Sequence, residues 1–285
     1  MKIGFIGLGA MGRHMAARLE SAGHALQSFD LNGKGNCKSA GEALQGVEVL
    51  FTSLPGPAEV ESISKSVAPG AVWFDTSTNS PDVVRRIQAK IHGFLDAPVS
   101  GGPKGAESGK LAIWIGGDPA LFRKYKFLLK QIGDQPFYVG PIGAGTIAKL
   151  AHNCASFAIQ TALAEVMTLG VKAGVEPLAL FKAIRQGASG RKRTFDRLPE
   201  HFLPGKYDPA AFTLRLAHKD LTLALELARQ QKVPMRIAEA VLAEFNESMQ
   251  RGWAERDCRV AMTLQEERAG VSVRVAPERL QGVLD

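Results

Sequence analysis

The sequence predicts an α/β fold class with two parts: an N-terminal α/β domain and an all-α C-terminal domain, joined by one long central helix. Short apolar segments typical of buried strands alternate with helical patterns up to about residue 143. Apolar residues then recur at helical spacing over residues 145–172, and no strand pattern follows that helix. We therefore expect one domain over residues 1–143 and a second, helical domain over residues 144–285.

The first predicted strand, residues 2–7, leads directly into Gly7-Leu8-Gly9-Ala10-Met11-Gly12, and an amphipathic helix follows that ends at Gly23. In such a unit Gly7 permits a tight turn, Gly9 lets the backbone approach a pyrophosphate, and Gly12 lets the helix pack closely on the strand. The free N–H groups at the helix N-terminus favour phosphate. The pattern predicts a Rossmann domain that binds a dinucleotide; the alternative is a structural glycine turn without a ligand.

The second predicted strand, residues 25–29, ends at Asp30, which lies 18 residues after Gly12. This is close to the offset at which a carboxylate binds the ribose 2′-hydroxyl of the cofactor. A carboxylate there repels a 2′-phosphate, so Asp30 favours NAD. Lys34 and Lys38 lie just beyond it and weaken that preference, so NADP stays open.

The alternation continues with predicted strands at residues 47–53, 71–75, 94–99, 111–115 and 136–139, and with helices at 82–92 and 119–131. Ligands of open α/β sheets bind outside the carboxyl ends of the strands, so the segments after these strands belong to the rim of the site. Ser100-Gly101-Gly102 is the most informative, because successive glycine N–H groups can hold a carboxylate. The alternative for each segment is a plain loop.

Beyond the sheet we predict helices at residues 145–172, 177–186, 210–230, 235–251 and 257–269, with a weakly structured tail after Gly270. In the long helix Lys149 and Asn153 are four residues apart and project from one face, with His152 slightly to the side. Desolvation in a cleft and the helix N-terminus both lower the pKa of a lysine, as an acid/base requires. Spacing alone leaves a solvated lysine and a surface amide as the alternative.

Composition limits the possible partners. The formal net charge is +7, which fits either ordinary surface residues or attraction of an anionic cofactor and substrate. The basic residues are scattered and aromatic residues are sparse, so we expect no nucleic-acid partner. The sequence contains no uncharged apolar segment long enough to predict a membrane span. Three widely spaced cysteines predict a reducing compartment and no metal site, and the strand that begins at once leaves no room for a leader, so we expect a cytoplasmic protein.

Four sequence blocks occur in one order. They are Gly7–Gly12 with Met15-Ala16, Asp96-Ala97-Pro98-Val99-Ser100-Gly101-Gly102, Gly143-Ala144-Gly145 with Lys149, and Lys219-Asp220-Leu221. Together they resemble the β-hydroxyacid dehydrogenase family, which includes 3-hydroxyisobutyrate dehydrogenase, tartronate semialdehyde reductase and sulfolactaldehyde reductase. The resemblance covers almost the whole chain. It implies an NAD(P)-dependent 3-hydroxyacid dehydrogenase or reductase, acting on a small anionic substrate and assembled as a homodimer or homotetramer.

The resemblance also implies residue roles. Lys149 would be the catalytic acid/base. The substrate carboxylate and hydroxyl would be held by Ser100, Gly101, Gly102 and Asn153. The dinucleotide would be contacted by Ala10, Met11, Asp30, Leu54, Pro55, Thr78 and, from the helical domain, Lys219.

Two departures from the family pattern concern the substrate. His152 stands where many relatives have asparagine. The segment Lys149-Leu150-Ala151-His152-Asn153 instead resembles the lysine–His-Asn arrangement of 6-phosphogluconate dehydrogenase, although this chain is too short for that enzyme. His152 is either a packed polar residue or a substrate ligand. Arg191 is followed by Lys192 and Arg193, where relatives often have an aromatic residue. These three residues form either a solvated basic loop or a pocket for a phosphonate, phosphate or sulfonate.

The sequence therefore predicts an oxidoreductase that interconverts a small 3-hydroxyacid, or its phosphonate or sulfonate analogue, and the carbonyl form. Lys149 would act as general acid/base in the hydride transfer. One alternative is an imine reductase on the same fold, although such relatives usually lack the lysine. The other is a non-catalytic NAD(P)-binding protein.

Overall fold

The structure is a computed structural model that describes residues 1–191, 196, 198–270 and 272–281, apart from a few side chains inside helices. By contact, the chain forms two compact units, Met1–Ser156 and Phe157–Asp285, which divide inside the central helix. The expected domain division at residues 143 and 144 stays a prediction. The first residues of the central helix, including Lys149, pack with the N-terminal unit.

The first unit is built on an eight-stranded sheet in the order β2-β1-β3-β4-β5-β7-β6, with β8 paired to β7. The strands are β1 Lys2–Ile6, β2 Ala25–Phe29, β3 Val49–Thr52, β4 Val72–Asp75, β5 Phe94–Asp96, β6 Val99–Ser100, β7 Ala112–Gly116 and β8 Gln135–Gly140. The strands from β1 to β5 are parallel, whereas β7 runs antiparallel to β5 and β6. The α/β class is confirmed, with a mixed rather than a wholly parallel sheet.

Helices cover both faces of this sheet. They are α1 Gly12–Ser21, α2 Ala40–Ala43, α3 Pro57–Ser64, α4 Pro81–Gln88, α5 Gly102–Ser108, α6 Pro119–Ile132 and the start of α7 Ala144–Lys172. Adjacent residues of one strand enter opposite cores: Phe51 packs into one apolar cluster and Leu50 into the other. A strand buried on both faces reads as a continuous apolar segment, which is why β3 could be predicted from sequence.

One prediction for this unit was wrong. The predicted strand 94–99 is interrupted at Ala97-Pro98, because proline has no N–H for the ladder. The chain keeps its direction across the break, since Asp96 of β5 and Val99 of β6 both pair antiparallel with β7. Helices α2, α3 and α5 have no counterpart among the predicted elements, because they are only 4, 8 and 7 residues long. Pro57 at the first position of α3 is a helix-start signal that could have identified it.

The second unit is helical. After α7 it contains α8 Pro177–Gln186, α9 Ala188–Arg191, α10 Leu214–Gln231, α11 Arg236–Gln250, a 3₁₀ helix Cys258–Met262, α12 Thr263–Ala269 and a 3₁₀ helix Pro277–Leu280. The Glu165 carboxylate of α7 accepts the N–H groups of Ile237 and Ala238 and so caps α11. No helix in the described chain is both long and apolar enough to cross a bilayer.

Buried Asp257 explains two misplaced helix boundaries. Its carboxylate accepts the N–H groups of Ala211 and Phe212, which holds them outside a helix, so the predicted helix 210–230 begins only at Leu214. It also accepts the N–H of Arg259, so the predicted helix 257–269 starts as a 3₁₀ turn. Of the residues described after Gly270, 272–281, only the 3₁₀ helix Pro277–Leu280 is regular, as predicted for a weakly structured tail. It is nevertheless anchored, because the Arg274 guanidinium makes two bonds of 2.7 Å to the Glu266 carboxylate.

Candidate active site

The carboxyl ends of β1, β2 and β3 open onto a cleft of about 860 Å³ in the first unit. The strand order reverses here, since β1 lies between β2 and β3, and this is the position at which such sheets bind ligands. Most of the residues predicted to contact the cofactor line this cleft: Gly7, Gly9, Ala10, Met11, Asp30, Leu54 and Pro55.

The three motif glycines differ in their surroundings. A Cβ on Gly12 would lie 1.9 Å from the Gly7 carbonyl oxygen, so Gly12 allows the close helix–strand approach and does not line the cleft. Gly7 has a φ of +97° and its Cβ would lie 2.3 Å from the Ser53 carbonyl oxygen. A Cβ on Gly9 would meet no atom within 4 Å, because Gly9 faces the open cleft. The backbone at Gly9 therefore leaves the space that a pyrophosphate needs.

Asp30 follows the end of β2 and lines this cleft, and its carboxylate is held by the backbone. Oδ1 accepts the N–H of Asn32 at 2.8 Å and Oδ2 accepts the N–H of Leu8 at 2.7 Å. The Asn32 N–H, together with the Leu8 N–H and the charge of Lys34, lowers the pKa of Asp30 despite its partial desolvation. The site therefore presents a fixed negative charge. Lys38 also lines the cleft.

A buried network supports the ends of β3 and β4. The Asp75 carboxylate accepts bonds from the Thr52 hydroxyl and the Asn79 amide, each at 2.8 Å, and the Trp73 indole N–H donates to Thr52. Burial raises the pKa of Asp75. This network fixes the segment that follows β4, which includes Ser77. The Ser77 hydroxyl accepts the N–H of Leu54 at 2.9 Å.

A second cavity, of about 290 Å³, adjoins the cleft: both are lined by Met11, Ser53 and Leu54. Its remaining walls are the rim segments and the central helix. They consist of Thr76, Ser77, Thr78, Val99, Ser100, Gly101, Gly102 and Lys149. The predicted Thr78, the Ser100-Gly101-Gly102 segment and Lys149 are thus brought together at one cavity. Gly101 and Gly102 have φ values of +139° and +63°, which glycine adopts readily.

Lys149 is half-buried, and burial lowers the pKa of its amine below the usual 10.5. Its Nζ lies 5.9 Å from the centre of the Trp114 ring. The solvated lysine that spacing alone left open is therefore not what the structure shows. A lysine with a lowered pKa at a cavity wall gives up its proton more readily than a solvated lysine, as proton exchange with a bound molecule requires.

The start of α7 is fixed to the sheet by Asp96 and Gly145. The buried Asp96 carboxylate accepts the N–H groups of Gly143 at 2.8 Å and Thr146 at 2.6 Å, which caps the helix. A Cβ on Gly145 would lie 2.2 Å from the Trp114 carbonyl oxygen. The Asp96 and Gly145 blocks of the sequence therefore set the position from which Lys149 projects.

His152 is half-buried and contacts two residues of this unit. Its Nε2 lies 3.3 Å from the Ser100 hydroxyl, and its ring lies 5.1 Å from the Trp114 ring at a tilt of 50°. Asn153 is also half-buried, four residues beyond Lys149, and is not part of the cavity wall. His152 thus packs as a polar residue against Trp114 and also contacts Ser100, a residue predicted to bind the substrate.

The remaining predicted residues belong to the second unit. Arg191 ends α9 and is exposed. Lys192, Arg193 and the side chain of Lys219 lie outside the described residues. Their part in a site stays a prediction. Among the residues that the structure describes, no group of three or more His, Cys, Asp or Glu side chains could hold a metal ion.

Sequence reasoning missed the contributions of Trp114, Asp96 and Asp75. Trp114 lies between the buried residues Ile113 and Ile115 on β7. Its side chain therefore lies on one face of the sheet and theirs lie on the other. That alternation was visible in the sequence, but the partner across the sheet face was not. In the sequence, Asp96 is visible only as part of the Asp96–Gly102 motif.

A nucleotide cleft at the strand ends, beside a cavity that holds a half-buried lysine, defines an oxidoreductase that uses a nicotinamide dinucleotide. Two family models agree. The NAD binding domain of 6-phosphogluconate dehydrogenase matches residues 2–140, and the NAD-binding domain of NADP-dependent 3-hydroxyisobutyrate dehydrogenase matches residues 143–264. The chain is 33% identical to 2-(hydroxymethyl)glutarate dehydrogenase of Eubacterium barkeri, over 96% of this chain and 97% of that one.

The chain therefore belongs to the β-hydroxyacid dehydrogenase family and is an NAD(P)-dependent hydroxyacid dehydrogenase of the 3-hydroxyisobutyrate dehydrogenase type. A solved 3-hydroxyisobutyrate dehydrogenase of Mycobacterium tuberculosis with L-serine is 29% identical, with a TM-score of 0.62, and the match covers 92% of this chain and 98% of that one. An imine reductase from a Pseudomonas species has a TM-score of 0.76 at 20% identity, with the same coverage. At that identity the likeness shows the fold alone.

Proposed function

We propose that this enzyme interconverts a small 3-hydroxyacid and its carbonyl form, with Lys149 as the general acid/base. The observation that carries the proposal is the position of Lys149. It lines a cavity shared by the Ser100-Gly101-Gly102 segment and the cofactor-side residues Met11 and Leu54. A substrate in this cavity lies within reach of both a proton acceptor and the cofactor cleft.

The nicotinamide cofactor supplies the hydride acceptor and donor. In oxidation the neutral Lys149 amine takes the proton of the substrate hydroxyl, and in reduction the ammonium returns a proton to the carbonyl oxygen. Burial favours the neutral amine, so the lowered pKa of Lys149 supports proton exchange in either direction. Such general acid–base catalysis contributes about 10²–10⁴-fold to the rate.

The substrate carboxylate binds to the Ser100 hydroxyl and to the backbone N–H groups of Gly101 and Gly102. The open cavity beside this segment and the positive φ values of both glycines support this role. The family resemblance alone assigns the substrate hydroxyl to Asn153, because Asn153 lies outside the wall of this cavity. The relatives support the substrate class, since one acts on 2-(hydroxymethyl)glutarate and another was solved with L-serine. A second anionic group, as in a dicarboxylate, phosphonate or sulfonate, would bind Arg191, Lys192 and Arg193.

We infer that the cofactor is NAD rather than NADP. The Asp30 carboxylate is fixed by two backbone bonds, and its lowered pKa keeps it ionised at neutral pH. A fixed carboxylate accepts bonds from a ribose 2′-hydroxyl and repels a 2′-phosphate. We expect NADH to bind at least about tenfold more tightly than NADPH, a difference of about 1.4 kcal/mol. Equal dissociation constants in fluorescence titrations would contradict this inference.

The proposal is tested by Lys149→Met, which keeps the length of the side chain and removes the amine. We expect kcat/KM to fall by about 10²–10⁴-fold across a hydroxyacid panel, while the Kd for NADH stays within about twofold because Lys149 does not line the cofactor cleft. The control is Lys90→Met, an exposed lysine outside both cavities.

Turnover that survives in Lys149→Met would remove Lys149 from the mechanism. The panel should also include a cyclic imine, because the imine reductase alternative predicts turnover of the imine and none of the hydroxyacids. Tight NADH binding without turnover of any compound would instead favour a non-catalytic NAD(P)-binding protein.

We also propose that the enzyme is a homodimer or homotetramer. Large apolar side chains of α7 and α8 are exposed in the single chain, including Leu163 at 50% and Leu178 at 54%. Apolar helix faces of this kind are typical of subunit interfaces. Light scattering after size exclusion measures the assembly, and a monomer at micromolar concentration would contradict the proposal. The cytoplasmic location stays a prediction.

A further inference from the structure

Trp114 lies behind the candidate acid/base and has no role in the proposed chemistry so far. On β7, Ile113 and Ile115 enter the core, so the Trp114 side chain lies on the face that the start of α7 covers. Trp114 is half-buried and lies outside the wall of the 290 Å³ cavity. Any effect it has on a bound substrate must therefore pass through other residues.

Three residues on one face of α7 contact Trp114. Gly145 packs on its carbonyl oxygen, and Lys149 and His152 follow four and seven residues later on the same side of the helix. The Lys149 Nζ lies 5.9 Å from the ring centre, within the range of a cation–π contact, and the His152 ring lies 5.1 Å from it. One indole thus contacts both side chains.

These contacts involve the residues proposed to bind both ends of the substrate. Lys149 is the group that exchanges the proton, and His152 lies at hydrogen-bond distance from the Ser100 hydroxyl, 3.3 Å away. Ser100 belongs to the segment proposed to bind the carboxylate. The Trp114 ring therefore contacts the acid/base Lys149 directly and is connected to the carboxylate-binding Ser100 through His152.

We propose that Trp114 is a positioning residue that orients Lys149 directly and Ser100 through the imidazole of His152. The inference rests on the proposed function of Lys149 and Ser100 and adds what holds them in register. The indole restricts the ammonium to the cavity wall, and the His152 ring, held between Trp114 and Ser100, restricts the hydroxyl. A smaller aliphatic side chain at position 114 would free both.

Steady-state kinetics separate the effect of Trp114 on Lys149 from its effect on Ser100 through His152. Trp114→Leu should lower kcat by about tenfold, as expected when a catalytic group is misplaced, and should also raise KM for the hydroxyacid. His152→Ala should raise KM by a similar factor and leave kcat within about threefold, because it frees Ser100 alone. Trp114→Phe, which keeps an aromatic face, should recover most of the loss in kcat.

The matched control is Phe137→Leu. Phe137 pairs with Trp114 on the neighbouring strand β8 and is 64% exposed, so the same kind of substitution there should change neither constant. A purely structural role for Trp114 predicts a different pattern, in which the Leu and Phe variants lose kcat equally and KM is unchanged. That pattern would overturn the proposal.

A second measurement does not depend on turnover. The ring protons of His152 lie near the indole, so their NMR resonances should move in Trp114→Leu and should not move in Phe137→Leu. Unmoved His152 resonances in Trp114→Leu would overturn the inference whatever the enzyme catalyses. If wild-type protein turns over no hydroxyacid, the proposed function fails, and the NMR comparison still decides whether Trp114 contacts His152.

Discussion

Gly145→Ala tests how tightly the central helix is fixed to the sheet. The added Cβ would lie 2.2 Å from the Trp114 carbonyl oxygen and 3.0 Å from both the Asp96 carbonyl oxygen and the Gly116 nitrogen. These atoms are backbone and cannot rotate away. Since an ordinary contact begins at about 3.4 Å, helix and strand must separate by about 1.2 Å, the difference between 3.4 and 2.2 Å.

Two effects oppose each other in the free energy of unfolding. Overpacking costs about 1–3 kcal/mol, and its upper end applies because the contact is with backbone. Replacing glycine by alanine in a helix returns up to about 1 kcal/mol. We expect a net loss of about 2 kcal/mol, which lowers Tm by about 4–8 °C for a unit of this size. Because Lys149 lies one turn further along, kcat should fall by up to about 10²-fold.

Thermal unfolding and steady-state kinetics measure these two effects. The control is Gly41→Ala, in helix α2, where the nearest atom to the new Cβ is the Ser39 hydroxyl at 3.8 Å. That variant should be as stable as the wild type or more stable by up to about 1 kcal/mol. A Tm within about 1 °C of the wild type for Gly145→Ala would refute the steric reasoning. A lowered Tm with full kcat would refute the coupling to Lys149.

Two further predictions follow from the same kind of reasoning. Gly9→Ala should leave the stability within about 0.5 kcal/mol, because its Cβ enters open space, and should raise the Kd for NADH at least about tenfold by filling the cleft; unchanged titrations would contradict the cofactor site. Burial alone would raise the pKa of Asp257, but the N–H groups of Arg259 and Phe212 and the Arg259 and His201 charges hold it below the usual 3.8. The ionised carboxylate therefore stabilises the fold above pH 3.8, and this contribution is lost as the pH falls through the folded-state pKa. Asp257→Asn should cost about 2–4 kcal/mol at pH 7 and progressively less below about pH 4 in denaturant titrations; a difference that does not change with pH would show that ionisation is not the cause.

Much of the N-terminal unit was predictable because its signals are local. The Gly7–Gly12 motif and Asp30 lie within one strand–helix–strand segment, and the positions of these residues in the cleft follow from chain connectivity. Strands β1, β3 and β4 are continuous apolar segments because both of their faces are covered. The short helices escaped prediction, since a few residues carry too little periodicity to be distinguished from a loop.

The sequence by itself determined the class of fold, the cofactor turn and the lysine to consider first, because each depends on residue type and on spacing within a short segment. The tertiary structure alone decided what surrounds that lysine. Ser100 and His152 are 52 residues apart in the chain, and Asp96 caps a helix that begins almost as far away. Trp114 reaches Lys149 and His152 only because the backbone of Gly145 packs against the strand. Such contacts depend on how one element is placed against another, which periodicity does not encode.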